Sequence, residues 1–344
     1  MAVEKNDFLA ICIPTYNHAE PLRKCLAALV PQARRRNIPI YISDNASTDH
    51  TLQVVKAFQK TYPFIYFRSN DENLGFDRNT VMAARMASTK YVWVFGSRRI
   101  LLPGMLNKIY EKLSESDYDL LVLNDLNLIY VVPKSQEYDS AARVFRELNR
   151  NLSGLGFQIL PPEAWKPDSV TKYYGTEWVV FGVALDFIAS KPKVKAYFIS
   201  EPCATSSGTS HWHKGYFKVW KDWKKVIWSL PEPYSDNDKE LVIRNSAKFL
   251  FVSKFNFFEI RSKFTLLDLR IRNIYNLEVF NNFREDLVHY GHFSPNVAYA
   301  IAKFPIALLK LYFKFLDAVR QIARLLLHGN RPLNPTTKRL ISYE

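Results

Sequence analysis

Over the first 130 residues, short apolar runs alternate with segments of helical period. Phe8–Ile13 is apolar without alternation, as in a strand covered on both faces. Leu22, Cys25, Leu26, Leu29 and Val30 then fall on one helical face, with Pro21 near the helix start, where its missing N–H costs nothing. Ile38–Ser43 predicts a second strand and Asp49–Lys60 a second helix. Ile65–Arg68 is a third strand, followed by a helix from about Arg78 to Ala87. Tyr91–Phe95 and Leu120–Leu123 complete the set of strands. Strand–helix alternation predicts an α/β fold with a mostly parallel sheet. Such sheets bind ligands beyond the carboxyl ends of their strands, which directs attention to the loops after Ile13, Ile42, Arg68 and Phe95. Residues 130–205 have a mixed pattern. From about residue 216 the pattern is helical and rich in Phe, Trp and Lys. The small residues of Cys203–Ser210 suggest a boundary, giving an expected domain over 1–205 and a helical part over 206–344.

Each of those loops is polar. They read Pro14-Thr15-Tyr16-Asn17, Asp44-Asn45-Ala46-Ser47-Thr48-Asp49, Asn73-Leu74-Gly75-Phe76-Asp77-Arg78-Asn79, and Gly96-Ser97-Arg98-Arg99 running on to Pro103-Gly104. An acid at a strand end, such as Asp44, accepts hydrogen bonds from a base N–H or a ribose hydroxyl. Thr48 and Asp49 suit a different task, capping the helix that follows.

In this order and on these strands, "IPTYN", "SDNASTD", "NLGFDRN" and "YVWVFG" with "LLPG" resemble family 2 glycosyltransferases of the GT-A fold, a Rossmann-like sheet. The similarity is greatest to the abequosyltransferase-like group that builds O-antigens. The resemblance implies that Pro14, Thr15 and Tyr16 line a nucleotide pocket, that Asp44 binds the base, and that Asn73, Gly75 and Arg78 flank the ribose-diphosphate. Gly75 has an equally good explanation as a turn glycine. The family keeps a run of aspartates before "ILLPG" to hold Mg²⁺ or Mn²⁺; here Ser97, Arg98 and Arg99 stand there. Arginine has no lone pair to offer a metal and stays protonated, so no metal site is expected and Mg²⁺ or Mn²⁺ should not be required. Two alternatives follow. Arg98, Arg99 or both replace the metal at the departing diphosphate, or the chain is an inactive, transferase-like scaffold that binds nucleotide or saccharide.

An inverting transferase also needs a base for the acceptor hydroxyl. The resemblance places it downstream, where Tyr173-Tyr174-Gly175-Thr176-Glu177-Trp178 offers a turn glycine and then an acid at a predicted helix start. Glu177 is the expected base, with Trp178 on the acceptor side; charge complementarity at the helix N-terminus is its bland alternative. Asp125, Asp186 and Glu201 are weaker candidates. His211-Trp212-His213 puts two imidazoles on one face without a third ligand nearby, which favours acceptor contact, with Trp212 stacking on a sugar, over a metal.

Composition narrows the setting. Three scattered cysteines, Cys12, Cys25 and Cys203, argue against a disulfide framework. Neither a signal peptide nor a run of about 20 uncharged apolar residues is evident, so peripheral attachment to the cytoplasmic face of a membrane is expected. Of the +14 net charge, most lies in residues 206–344, which hold 22 Lys/Arg against 12 Asp/Glu. No nucleic-acid motif accompanies this charge, so nucleic acid is not an expected partner. Lys303, Lys310, Lys314, Asp317, Gln321 and Arg324 instead fall on one stripe of a helix over Val297–Leu327 whose remaining positions are mainly apolar, as in a helix lying on an anionic membrane. Tyr216–Leu230, with Trp220, Trp223 and Trp228 among lysines, has a similar interfacial composition. The expected activity is transfer of a sugar from a nucleotide-sugar donor to a lipid-linked saccharide in surface polysaccharide synthesis.

Overall fold

A computed structural model describes residues 4–126, 132–207, 215–250, 266–291 and 293–328. The chain divides into two compact units, Met1–Ser246 and Ala247–Glu344. This division falls later than the expected boundary at 205/206, and the reason lies in the two helices that follow the sheet.

The first unit opens with β1 (Leu9–Thr15), α1 (Ala19–Ala33), β2 (Ile40–Asp44), α2 (Thr51–Gln59), β3 (Ile65–Ser69), α3 (Phe76–Arg85) and β4 (Tyr91–Val94). It continues with β5 (Arg99–Leu101), α4 (Met105–Ser114), β6 (Leu120–Asp125), β7 (Gln136–Tyr138), α5 (Ala141–Leu152) and β8 (Gln158–Leu160). Then come α6 (Pro167–Val170), α7 (Val179–Ala189), β9 (Ala196–Ser206), α8 (Tyr216–Trp228) and α9 (Asp236–Leu250), the last of which runs across the division at Ser246. The strand order is β3-β2-β1-β4-β8-β6-β9-β5, with β7 also paired to β9.

All seven residues of β1 are buried, as its unbroken apolar run requires. Helix α1 lays Leu22, Cys25, Leu26, Leu29, Val30 and Ala33 onto a core that includes Ile11, Ile13, Ile40 and Ile42. Fully burying one such aliphatic side chain contributes roughly 1.5–3 kcal/mol. The pairings β1·β2, β1·β4 and β2·β3 are parallel, with Thr15 opposite Asp44 and Asp44 opposite Ser69. The carboxyl ends of these strands therefore share one edge, where the polar loops collect.

The sheet as a whole is mixed rather than mostly parallel. Strands β5, β7 and β8 pair antiparallel, while β6 and β9 pair parallel. Three of these strands are only three residues long, too short to show a period in sequence.

Helices α8 and α9 explain the shifted boundary. Trp220 and Trp223 of α8 are buried, so this helix packs within the first unit. Its tryptophans are core residues, which corrects the interfacial expectation for Tyr216–Leu230; Trp228 alone of the three is exposed.

The second unit contains α10 (Leu266–Ile271), α11 (Leu277–His289), α12 (Pro295–Lys303) and α13 (Ile306–His328). Phe304 and Pro305 interrupt the expected single helix over Val297–Leu327, and α12 meets α13 at a 96° bend. Pro305 lacks the N–H an unbroken helix would use, and it disfavours helical backbone at Phe304. Lys303 therefore belongs to a different helix from Lys310 and Lys314. Among the described residues no single helix is long and apolar enough to cross a membrane.

Candidate active site

The loops at the shared strand edge are braced by amide side chains. Asn79, in the first turns of α3, is buried and donates from Nδ2 to the carbonyls of Ser43 (3.1 Å) and Thr15 (3.3 Å). Its Oδ1 accepts from Ser43 Oγ at 2.7 Å and Asn70 Nδ2 at 3.1 Å. Asn45 donates to Asn73 Oδ1 at 2.7 Å and accepts from the Leu74 amide at 2.9 Å and Asn70 Nδ2 at 3.1 Å. This network ties the ends of β1, β2 and β3 to the start of α3. Gly75 takes φ +81° as the residue before α3, so the turn itself requires glycine. Asn73, Gly75 and Arg78 are exposed along this loop.

Asp44 closes β2. It is 3% exposed and accepts from the Ser47 amide and Ser69 Oγ, each at 3.2 Å, and from Ser47 Oγ. A carboxylate offers about four acceptor positions, so these three bonds leave one. The loop after it is strained at Ala46, with φ +61°, and Asn17 in the loop after β1 is left-handed at +48°. The two loops brace one another, Asn17 N donating to Ser47 Oγ at 2.8 Å and Thr48 N to Asn17 Oδ1 at 2.8 Å. Pro14 and Thr15 are buried, Tyr16 is exposed, and Thr15 Oγ1 has no hydrogen-bond partner among the described residues.

Asp49 caps as expected, and serves two helices. Its Oδ2 accepts from the Ala19 amide of α1 at 2.9 Å and its Oδ1 from the Thr51 amide of α2 at 3.0 Å. Burial alone would raise its pKa, but the Thr51 hydroxyl and these amides outweigh that and hold it below the ordinary value. Thr48 instead joins the Asn17 brace.

In the Gly96–Arg99 loop, Ser97 is buried and its Oγ lies 2.9 Å from Nδ1 of His18, the residue before α1. The Arg98 carbonyl accepts from Ser207 N at 2.8 Å and Ser207 Oγ at 3.0 Å, which fixes the backbone against the end of β9. Arg99 points inward. Its guanidinium pairs with Asp125, donates to the Leu155 carbonyl and Ser206 Oγ, both at 3.0 Å, and stacks 4.4 Å from the centre of the Phe157 ring. Arg99 is thus committed to these partners, which corrects the expectation for Arg99 as a diphosphate ligand and leaves that for Arg98 untouched. It also removes Asp125 as a candidate base.

The Tyr174–Trp178 loop turns at Gly175 (φ +82°) and again at Glu177, which has φ +66° and is exposed. Left-handed backbone costs a non-glycine residue about 1–2 kcal/mol, so Glu177 must be held there. Asp77 Oδ2 accepts the Glu177 amide at 2.9 Å and Oδ1 accepts the Val179 amide at 3.3 Å. Asp77 is buried, which pushes its pKa above the ordinary carboxylate range, while the Glu177, Val179 and Gly175 amides partly offset the shift. Its neighbour Arg78 places its guanidinium 5.3 Å from the centre of the Tyr174 ring. From α8, Lys218 Nζ donates to the Gly175 carbonyl at 3.4 Å. Trp178 is half-buried, donates to the Val219 carbonyl at 3.0 Å and packs with Phe181 and Trp223.

Residues 10–149 match the model described as glycosyl transferase family 2. The chain carries a family 2 glycosyltransferase domain. It is 42% identical to abequosyltransferase RfbV of Salmonella typhimurium over 222 residues, which are 58% of this chain and 66% of that protein. It is 32% identical to the uncharacterized glycosyltransferase MG060 homolog of Mycoplasma pneumoniae over 119 residues, 34% of this chain and 40% of that one. The chain thus spans just under two thirds of the first relative's length and well under half of the second's. Among solved structures, S. aureus TarS 1-349 superposes with TM-score 0.55 at 16% identity, covering 86% of this chain and 90% of that one. A mannosyltransferase from Pyrobaculum calidifontis, solved with GDP-Man and Mn²⁺, superposes with TM-score 0.50 at 15% identity over 70% of each chain. These likenesses establish the GT-A fold.

The transferase domain brings two sets of expected residues to one edge: the Pro14–Tyr16, Asp44 and Asn73–Arg78 loops, and the Tyr174–Trp178 loop latched to them through Asp77. Ser97 joins the first set through His18. Asp186 is ion-paired with Lys172 and Glu201 with Lys108. His211 and Trp212 lie outside the described residues. At the family's metal position, a hydroxyl and two guanidinium groups offer no set of anionic ligands, and Mg²⁺ or Mn²⁺ does not fit there. Among the described residues no group of three or more His, Cys, Asp or Glu side chains forms a metal site. Sequence reasoning missed Asp77 and His18. Asp77 sat inside a quoted motif, but its partners lie 100 and 102 residues away.

Proposed function

We propose that this chain is an inverting, metal-independent glycosyltransferase that moves a sugar from a nucleotide-sugar to a lipid-linked saccharide in surface polysaccharide synthesis. The observation that carries this is the edge where the strand-end loops meet the Glu177 loop, with arginine in place of the metal aspartates. The nucleotide lies along Pro14, Thr15 and Tyr16 with its base at Asp44, and its ribose-diphosphate passes Asn73, Gly75 and Arg78. Glu177 takes the proton from the acceptor hydroxyl as its oxygen attacks the sugar's anomeric carbon. The bond to the diphosphate oxygen breaks, and the departing group carries away the electron pair. Arg98, beside Ser97, supplies cationic N–H donors to the charge that develops, the task a metal performs elsewhere in the family. Trp178, and His211 with Trp212, belong to the acceptor side.

Membrane attachment rests on α13. Leu308, Leu311, Phe315 and Val319 recur at helical spacing and are exposed, while Leu309 and Phe313 of the same helix are buried. Exposed Lys310 and Lys314 sit beside this outward apolar stripe. A basic helix with an apolar outer face suits the anionic cytoplasmic leaflet, where each lysine contributes about 1 kcal/mol.

The test is a screen of nucleotide-sugars for donor turnover with EDTA present. Turnover of one donor in EDTA, little changed by Mn²⁺, is the expected result. Inertness until a divalent metal is added sinks the guanidinium mechanism. Nucleotide binding without turnover of any donor supports the scaffold alternative instead, which the commitment of Arg99 to Asp125 favours.

A further inference from the structure

Two helix starts meet at one buried carboxylate. Asp77 lies in the first turn of α3, directly after Gly75 and Phe76, and its oxygens cap the start of α7. Oδ2 takes the Glu177 amide and Oδ1 the Val179 amide, so both oxygens are needed. One amide belongs to Glu177, which the turn holds in left-handed backbone, and the other to Val179, where α7 begins. The other end of this turn is held by Lys218 on the Gly175 carbonyl and by Tyr174 against Arg78. The donor-side loop and the loop bearing the expected base are thus joined through adjacent residues of α3, Asp77 and Arg78.

We propose that Asp77 is a positioning residue: its carboxylate clamps the Glu177 turn to the donor-binding loop and so sets the base against the bound donor. The inference deepens the proposed function and rests on Glu177 being the base. Asp77 itself is 3% exposed and is not free to touch substrate, so it acts through the turn. Without the clamp, the strain at Glu177 drives the turn to relax, and a displacement of about 1 Å at a reacting group costs on the order of 10²-fold in rate. The amide network of Asn45, Asn70, Asn73 and Asn79 does not depend on Asp77, so the donor loops should keep their shape.

The test combines amide hydrogen exchange with kinetics on the full chain, comparing wild type, Asp77→Ala and Asp77→Asn. Asparagine keeps one acceptor oxygen but turns an N–H₂ toward one of the two backbone amides, so it breaks half of the clamp at nearly constant volume. Expected in both variants are faster exchange across residues 175–179, a fall in kcat of about tenfold to 10²-fold, and a donor KM within about threefold of wild type. Affinity for UDP, GDP or CDP, used as probes, should be unchanged for whichever of them binds. Exchange across 175–179 at the wild-type rate overturns the proposal, as does faster exchange with unchanged kcat, or a loss confined to KM. If Asp77→Ala fails to fold, Asp77→Asn decides by the same measurements. Glu177→Gln runs alongside. Full activity there removes Glu177 as the base, while the exchange rates still report whether Asp77 holds the turn.

Discussion

Arg98 and Arg99 are adjacent in sequence and differ in what their loss should do. Removing the Arg99 side chain leaves the Asp125 carboxylate, 6% exposed, without its cation, and also empties the stack on Phe157. Breaking a buried ion pair by removing one partner costs about 3–5 kcal/mol, because the remaining charge stays desolvated. For a domain of this size, each kcal/mol lowers the Tm by about 2–4 °C, so Arg99→Ala should melt on the order of 10 °C below wild type. Arg98→Ala should instead be felt in turnover, cutting it by about 10²-fold or more. Thermal unfolding followed by circular dichroism, with donor turnover measured well below the transition, separates the two effects. The double variant Arg99→Met with Asp125→Leu removes both charges and should recover most of the lost stability, as apolar replacements of buried pairs often do. Should Arg99→Ala melt with wild type, or should the double variant be no better than the single one, the ion pair is not what anchors this loop. Should Arg98→Ala retain full turnover, the guanidinium is not stabilising the leaving group.

Asp44→Ala should weaken binding of the cognate nucleotide at least tenfold in calorimetry, equivalent to about 1.4 kcal/mol; unchanged affinity rules out base contact. Leu311 and Phe315 are 65% and 64% exposed, so Leu311→Asp with Phe315→Asp should preserve folding and abolish co-flotation with anionic liposomes. Equal flotation of variant and wild type shows that this stripe is not the anchor. Asp49 has its pKa held below its ordinary value of 3.8 in the folded state, so its stabilisation is present above that value and lost as pH falls through the lower, folded one. Asp49→Asn should therefore be less stable than wild type at neutral pH, with the difference closing in acid titrations followed by urea unfolding. A difference that is constant with pH contradicts the capping assignment.

The sequence alone determined the strand–helix alternation up to β4, the polar loops at the strand ends, the family resemblance, and the replacement of the metal aspartates by arginines. These are local properties. An apolar run, a helical period or a turn glycine reports on neighbours a few residues away, and a side chain's capacity to bind metal is intrinsic to it. The tertiary structure decided what each arginine touches, because Asp125 is 26 residues from Arg99 and Ser206 is 107 away. It made Asp77 the clamp of the Glu177 turn across 100 residues. It also placed Trp220 and Trp223 in the core: a tryptophan-rich, lysine-rich helix looks alike in sequence whether its aromatic face meets lipid or a domain. Pro305 was readable as a helix breaker, yet the apolar run on both sides masked it. Periodicity shows that a helix has a face, and only the packing around it shows what that face meets.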